Sequence, residues 1–268
     1  MPSASAEIWR KLRKLLRLVL RRNYRAALRQ GVAAAVEHRK VAFEREPRTV
    51  LDVGANRGQF ALFALQRFPD ADVHCFEPVP AALTTLRRVL AGRDDVHVYP
   101  VALGAEAGEA QLHVSASDDS SSLLAVGSRL QDEYPGTRPV EEISVPVARL
   151  DALLDPDDLR RPCLMKIDVQ GFEAEVLRGS AALLPMVDDI LVEGSFVELY
   201  EGQPLADDLV ARLLVEGYRL RGVFGLMTDH RGTCLQADLL FSRPGLHRAE
   251  PDQRLIAANG PHRRTDQP

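Results

Sequence analysis

The chain has 268 residues, of which 46% are apolar and 27% charged, and carries a net charge of −4. That is ordinary for a soluble globular protein, is long enough for one α/β domain with appendages, and gives no reason to expect nucleic acid as a partner. The three cysteines, Cys75, Cys163 and Cys234, each lie in an apolar run without a CxxC partner. This argues against a disulfide framework or a zinc site and for a reducing compartment. No signal peptide and no apolar run near the ~18 residues of a spanning helix is visible, so a cytoplasmic location is expected.

Charge is unevenly spread, with nine Lys or Arg and no acid from Trp9 to Arg29. In residues 8–22, "IWRKLRKLLRLVLRR", Ile8, Trp9, Leu12, Leu15, Leu16, Val19 and Leu20 fall on one helical stripe. Arg10, Lys11, Arg13, Lys14, Arg17 and Arg21 fall on the other side. Such a basic amphipathic helix suits an anionic membrane surface, peripherally on the inner face, and equally suits packing of its stripe on the main domain. A second helical stretch is expected to about Arg45, ended by Pro47. Residues 1–47 therefore read as an N-terminal helical extension.

From residue 48 strands and helices alternate. "TVLDVGA", "DVHCFEP" and "VHVYPVAL" read as strands, separated by helices from Arg57 to before Pro69 and over "PAALTTLRRVLAG". This is the pattern of a parallel sheet covered on both faces. It breaks at "GEAQLHVSASDDSSSLL" and "EISVPVARLDALL", whose two-residue period predicts an inserted hairpin-like element with a mobile polar loop. Alternation resumes with the strand "CLMKIDV", a helix through "FEAEVLRGSAALL", the strand "DILVEGSFVEL" and the helix "PLADDLVARLLVEG". "RLRGVFG" and "CLQADLLFS" then read as an antiparallel edge pair. The domain spans residues 48–243, and residues 244–268 read as a disordered tail.

The first strand ends at Asp52, followed by Gly54, Ala55, Asn56 and Gly58. Ligands of open α/β sheets bind beyond such strand ends, and the two glycines let backbone approach a ligand without a Cβ in the way. Neither GxGxxG nor the P-loop pattern GxxxxGK(S/T) is present. An acid beside a helix N-terminus suits a ligand bearing both an ammonium and a carboxylate, and S-adenosylmethionine carries both. Glu77 ends the second strand at the distance where an acid takes ribose hydroxyls, and Pro78 keeps the following turn out of helix.

Six blocks in order, "LDVGANRGQF", "FEPVP", "PVALG", "SSSLL", "LMKIDVQGFEAEVLRG" and "ILVEGSFVELYEGQP", resemble the FkbM family of methyltransferases over roughly residues 48–243. The resemblance implies a class I, Rossmann-like methyltransferase fold with a mostly parallel seven-stranded sheet. It also implies methyl transfer from S-adenosylmethionine to oxygen, often on sugars of glycolipids and polysaccharides or on polyketide-type products. With it, the expected cofactor set is Asp52, Gly54, Ala55, Asn56, Gly58, Glu77, Pro78 and Ala102. Members usually carry Glu where this chain has Gln170, which keeps open a non-catalytic module with the same fold.

Transfer to a hydroxyl needs an aligned nucleophile and a proton acceptor. Asp168 and Glu193, at the ends of neighbouring strands, are the catalytic candidates, as base and orienting group. They also suit a divalent cation, and Asp168 also suits a helix cap. No metal site is singled out. Lys166 reads as the structural partner of an acid. Ser120, Ser121 and Ser122 sit in the polar loop as candidate acceptor ligands, and His230, in the last turn, could reach the acceptor cleft. His38 reads as peripheral. The expected partner is a glycan or small-molecule hydroxyl acceptor, with a soluble secondary metabolite as the alternative.

Overall fold

The structure, a computed structural model, describes residues 16, 18–116 and 120–244. Most of the predicted 8–22 helix lies outside these residues. In the part described, Leu18 is buried while Leu16, Val19 and Leu20 are exposed, so three members of the predicted stripe do not pack on the domain. Helix α1 spans Arg22–Arg29. It stops where Gly31 takes a left-handed conformation (φ 79°), well before the expected end near Arg45. Beyond it lie an irregular segment and a 3-10 turn, Val36–Lys40.

The domain then builds β1 (Thr49–Val53), α2 (Gln59–Arg67), β2 (Asp72–Phe76), α3 (Pro80–Val89) and β3 (Val96–Tyr99). β1 is buried on both faces, which is why its sequence runs apolar without alternation. The predicted strand "VHVYPVAL" is two strands. Pro100 has no N–H for a ladder bond, and the chain leaves the main sheet there to form β4 (Ala102–Leu103) in a second sheet. That second sheet is the predicted insertion. β5 (Gly108–Ser115) and β6 (Pro139–Ala148) pair antiparallel, and β6 also pairs parallel with β4. Between them α4 (Ser128–Glu133) stands where a polar loop was expected. Leu130 anchors it by burial against Val126, Leu199 and Tyr200.

A short helix α5 (Leu150–Leu153) leads to β7 (Cys163–Ile167), α6 (Glu173–Gly179), β8 (Asp189–Ser195), α7 (Ala206–Val215), β9 (Arg219–Thr228) and β10 (Cys234–Ser242). The main sheet has seven strands in the order β3-β2-β1-β7-β8-β10-β9. β10 alone runs against its neighbours, β8 and β9, giving the expected antiparallel edge pair. This is the mostly parallel class I arrangement. Strand order reverses between β1 and β7, so the crevice at their carboxyl ends is where a ligand seat is expected. One apolar cluster packs α1 and α2 on one face of the sheet, and another packs α5, α6 and α7 on the other.

Candidate active site

β1 ends level with β2 and β7, Val53 standing beside Phe76 on one side and Ile167 on the other. A cavity of about 680 Å³ opens at this rim. The loop after β1, the turn after β2, β4, the turn after β7 and residues 31–38 ahead of β1 all contribute walls.

Glu77 is buried yet lines the cavity. Asn56 N donates to its Oε2 and Val79 N to its Oε1, both at 2.7 Å. Burial pushes its pKa up to about 7, against the pull of those two N–H groups. Asn56, Ala55, Pro78 and Ala102 line the same space. Asn56 sits at φ 48°, a left-handed turn that brings its backbone N–H onto Glu77.

The two loop glycines are demanded by the protein's own packing. At Gly54 (φ 79°) a Cβ would lie 2.0 Å from the Asp168 carbonyl oxygen. At Gly58 (φ 92°) it would lie 2.9 Å from Leu86 Cδ1. Gly54 still borders the cavity, whereas Gly58 does not. Asp52 is fully buried and absent from the cavity wall. The ammonium it faces is that of Lys166, with Nζ 3.8 Å from Oδ1. Burial raises the Asp52 pKa and Lys166 opposes the shift.

Beyond β7 the chain makes a tight turn in which Gln170 adopts φ 57°. Its side chain joins the two predicted catalytic carboxylates. Nε2 donates to Asp168 Oδ1 at 2.7 Å and to Glu193 Oε2 at 2.8 Å, and Oε1 accepts from the Tyr200 hydroxyl at 2.6 Å. Asp168 borders the cavity with 36% of its side chain exposed, and its Oδ2 accepts from Lys166 Nζ at 3.0 Å. Burial alone would raise its pKa, but Lys166 and the Gln170 amide outweigh it and hold the carboxyl below the usual range. Glu193 stands behind Gln170, outside the cavity wall, with Oε1 taken by Gln236 Nε2 at 2.5 Å. Burial and the nearby Asp168 and Asp238 charges push its pKa well up. Asp168 makes no helix cap. The Val169 and Gly171 amides donate instead to Glu173, whose pKa burial lifts to about 7.

Ser121 and Ser122 line the cavity, but Ser122 is already engaged. Its hydroxyl donates to the Gln170 carbonyl at 2.6 Å and accepts from Leu124 N at 2.9 Å, tying the polar loop to the β7 turn. The Ser121 hydroxyl accepts from Ser115 N at 3.1 Å. His230 is not brought to the cavity. It is 59% exposed in the β9–β10 turn and pairs with Glu133 of α4 at 3.0 Å.

His38, by contrast, is in the wall. The reversal at Gly31 carries residues 31–38 across the rim, and Ala35 N donates to Gln59 O at 2.9 Å to hold them there. No spacing motif marks this histidine. Only the tertiary path does. Among the described residues no group of three or more His, Cys, Asp or Glu is placed to hold a metal ion.

The Methyltransferase FkbM domain matches residues 52–220. The chain belongs to the FkbM methyltransferase family. It is an S-adenosylmethionine-dependent O-methyltransferase. The 2-O-methyltransferase NoeI of Sinorhizobium fredii is 31% identical over 190 residues, covering 68% of this chain and 78% of NoeI. The 31-O-demethyl-FK506 methyltransferase FkbM of Streptomyces tacrolimicus is 30% identical over 185 residues, covering 59% and 69%. The hexuronic acid methyltransferase AglP of Haloferax volcanii is 29% identical over 151 residues, covering 56% and 57%.

Proposed function

We propose that this FkbM-family enzyme methylates a sugar hydroxyl of a glycolipid or polysaccharide. The observation that carries the reading is the polar side of the cavity, where Glu37, Ser121 and Asp168 face one space suited to a polyhydroxylated acceptor. The name of AglP, a hexuronic acid methyltransferase, supports a sugar as the acceptor. A soluble secondary metabolite is the second reading, favoured by the similarity to the FK506 methyltransferase.

The residues present fit the cofactor. Glu77 offers a buried, cavity-facing carboxylate for ribose hydroxyls, and Gly54, Ala55 and Asn56 place backbone against the same space. Gln59 Oε1, on the first residue of α2, is a buried acceptor without a hydrogen-bond partner among the described residues, suited to the ammonium of the methionyl end. Pro78 and Ala102 shape the adjoining wall. S-adenosylmethionine supplies an electrophilic methyl group on a sulfonium. This chain's share is alignment: Asp168 orients the acceptor hydroxyl, and Glu193 holds Asp168 in place through Gln170.

We place the enzyme in the cytoplasm, held at the inner membrane face by residues 8–22. Within that segment Leu16, Val19 and Leu20 are exposed beside basic residues. No described helix is long and apolar enough to cross a membrane.

Calorimetric titration with S-adenosylmethionine tests the seat. Glu77→Ala should weaken binding by about 1.5–3 kcal/mol, the worth of hydrogen bonds to a charged group. Unchanged affinity would remove Glu77 from the cofactor site. Transfer of labelled methyl to uronic-acid and neutral hexose oligosaccharides then tests the acceptor class. Transfer only to a non-sugar hydroxyl would favour the metabolite reading.

A further inference from the structure

We infer that Lys166 is a positioning residue for methyl transfer: its buried ammonium, backed by Asp52, fixes the Asp168 carboxylate at the cavity rim as the hydrogen-bond acceptor for the incoming hydroxyl. On the reading that Asp168 orients the acceptor, this gives Lys166 and Asp52 a part in the transfer rather than in cofactor binding.

Strand geometry brings the three together. Asp52 of β1 and Lys166 of β7 are register partners, so their side chains share one face of the sheet. Asp168, two residues past Lys166, returns to that face at the strand end. Lys166 Nζ lies 3.0 Å from Asp168 Oδ2, 3.8 Å from Asp52 Oδ1 and 5.7 Å from the centre of the Phe60 ring. The Asp52 side chain is 0% exposed and that of Lys166 8%, against 36% for Asp168, so the row of charges runs from the core to the cavity. An ammonium is costly to bury, and the two carboxylates that offset the cost also fix where it sits.

Asp168 is held at both oxygens, Oδ2 accepting from Lys166 and Oδ1 from Gln170 Nε2. Each oxygen keeps a second lone pair, and the side chain borders the cavity. While ionised it only accepts, so a hydroxyl bound there must give it the hydrogen and keep a lone pair free for the methyl carbon. Acids crowd this face. Asp52 of β1, Glu193 of β8, Asp238 of β10 and Glu173 of α6 all interact electrostatically with Asp168, as does His38 from the turn before β1. Without the Lys166 charge, burial and these carboxylates would favour the protonated acid, whose own hydrogen could turn the hydroxyl the wrong way round.

In the step, the acceptor oxygen bonds to the methyl carbon as the carbon–sulfur bond breaks, and that electron pair stays on sulfur as a neutral thioether. The oxygen becomes strongly acidic as its new bond forms, so even a weakly basic carboxylate takes the proton, and Asp168 then yields it to solvent.

The first test needs no acceptor. Carbon-13 NMR on protein labelled at the aspartate carboxyl carbon, with Asp168→Asn for assignment, follows the Asp168 titration. Lys166→Met should raise its midpoint by about 1–3 pH units, the effect of one close opposite charge. That variant leaves Asp52 buried without its cation, so the double variant Lys166→Met, Asp52→Asn is made beside it, and the same rise is expected. An unmoved midpoint would overturn the proposal. The second test offers methyl glycosides of neutral and uronic sugars with labelled S-adenosylmethionine. In both Lys166 variants the acidic limb of kcat/KM should move to higher pH with the midpoint; a limb that stays while the midpoint moves would leave Lys166 a structural role only. Asp52→Asn alone should leave S-adenosylmethionine affinity unchanged. A loss of about 10–100-fold would instead set Asp52 against the cofactor ammonium and overturn its place behind Lys166. If the wild type binds S-adenosylmethionine but methylates none of the glycosides, the sugar reading fails, and the titration still decides the role of Lys166.

Discussion

At Gln170 one amide holds together groups that would otherwise repel. Its Nε2 supplies donors to both Asp168 and Glu193, which a carboxylate at this position could not do while ionised. Gln170→Glu should therefore cost about 2–4 kcal/mol at pH 8, from lost charge-assisted hydrogen bonds and added repulsion. The new carboxyl would hold its proton in the folded state, so that contribution is present at low pH and lost as pH rises. Urea unfolding should show a larger deficit at pH 8 than at pH 5; an equal deficit at both would deny the charge argument. Glu77 gives a second case. Burial lifts its pKa from an ordinary 4.5 to about 7, so the folded chain holds a proton that the unfolded chain releases. Its contribution to stability is full below the unfolded value and fades as pH rises through about 7. Cofactor binding runs the opposite way if Glu77 accepts ribose hydroxyls as a carboxylate. S-adenosylmethionine affinity should rise from pH 6 to pH 8, and Glu77→Gln should flatten that slope; a flat wild-type profile would contradict the role.

The β1 loop crosses the end of β7 so closely that Gly54 has no room for a side chain. Gly54→Ala combines a positive φ with a clash against backbone that cannot swing away, and should cost about 2–4 kcal/mol. Gly58→Ala meets only the tip of Leu86, so the left-handed conformation dominates and the cost should be about 1–2 kcal/mol. Thermal unfolding of the two variants orders them, and an inverted order would mean the loop yields more readily than the α3 contact. This crossing was legible in the sequence as glycine spacing, but its reason was not, because the atom that needs the space belongs to a turn about 114 residues away. Buried strands such as β1, β7 and β8 were readable from apolar runs bounded by turns. What local pattern missed was set by distant partners. α4 depends on Leu130 reaching Leu199 and Tyr200, and β4 left the main sheet because Pro100 broke its ladder. His38 looked peripheral because its neighbours Asp238 and Phe60 are brought to it only by the fold.

Across the whole molecule, the catalytic sheet and the segment ahead of it are one packing unit. Leu18, Tyr24 and Ala27 join the cluster of α2, so the chain before β1 is fastened at α1 while presenting its far side to solvent. Leu16 (60% exposed), Val19 (42%) and Leu20 (68%) make an apolar surface next to Arg21 and Arg22. A core contact would hide such residues, whereas an anionic bilayer would cover the apolar side chains and neutralise the arginines, each adding about 1 kcal/mol near the surface. The triple variant Leu16→Ser, Val19→Ser, Leu20→Ser should thus abolish sedimentation with phosphatidylglycerol vesicles while leaving the unfolding midpoint and S-adenosylmethionine affinity unchanged. A matching Leu18→Ala substitution should do the reverse, costing about 2–5 kcal/mol of stability through the cavity it leaves, with vesicle binding retained. If the triple variant still sediments with the vesicles, residues 16–20 are no membrane contact. A lipid-borne acceptor would then have to reach the cavity by its own diffusion.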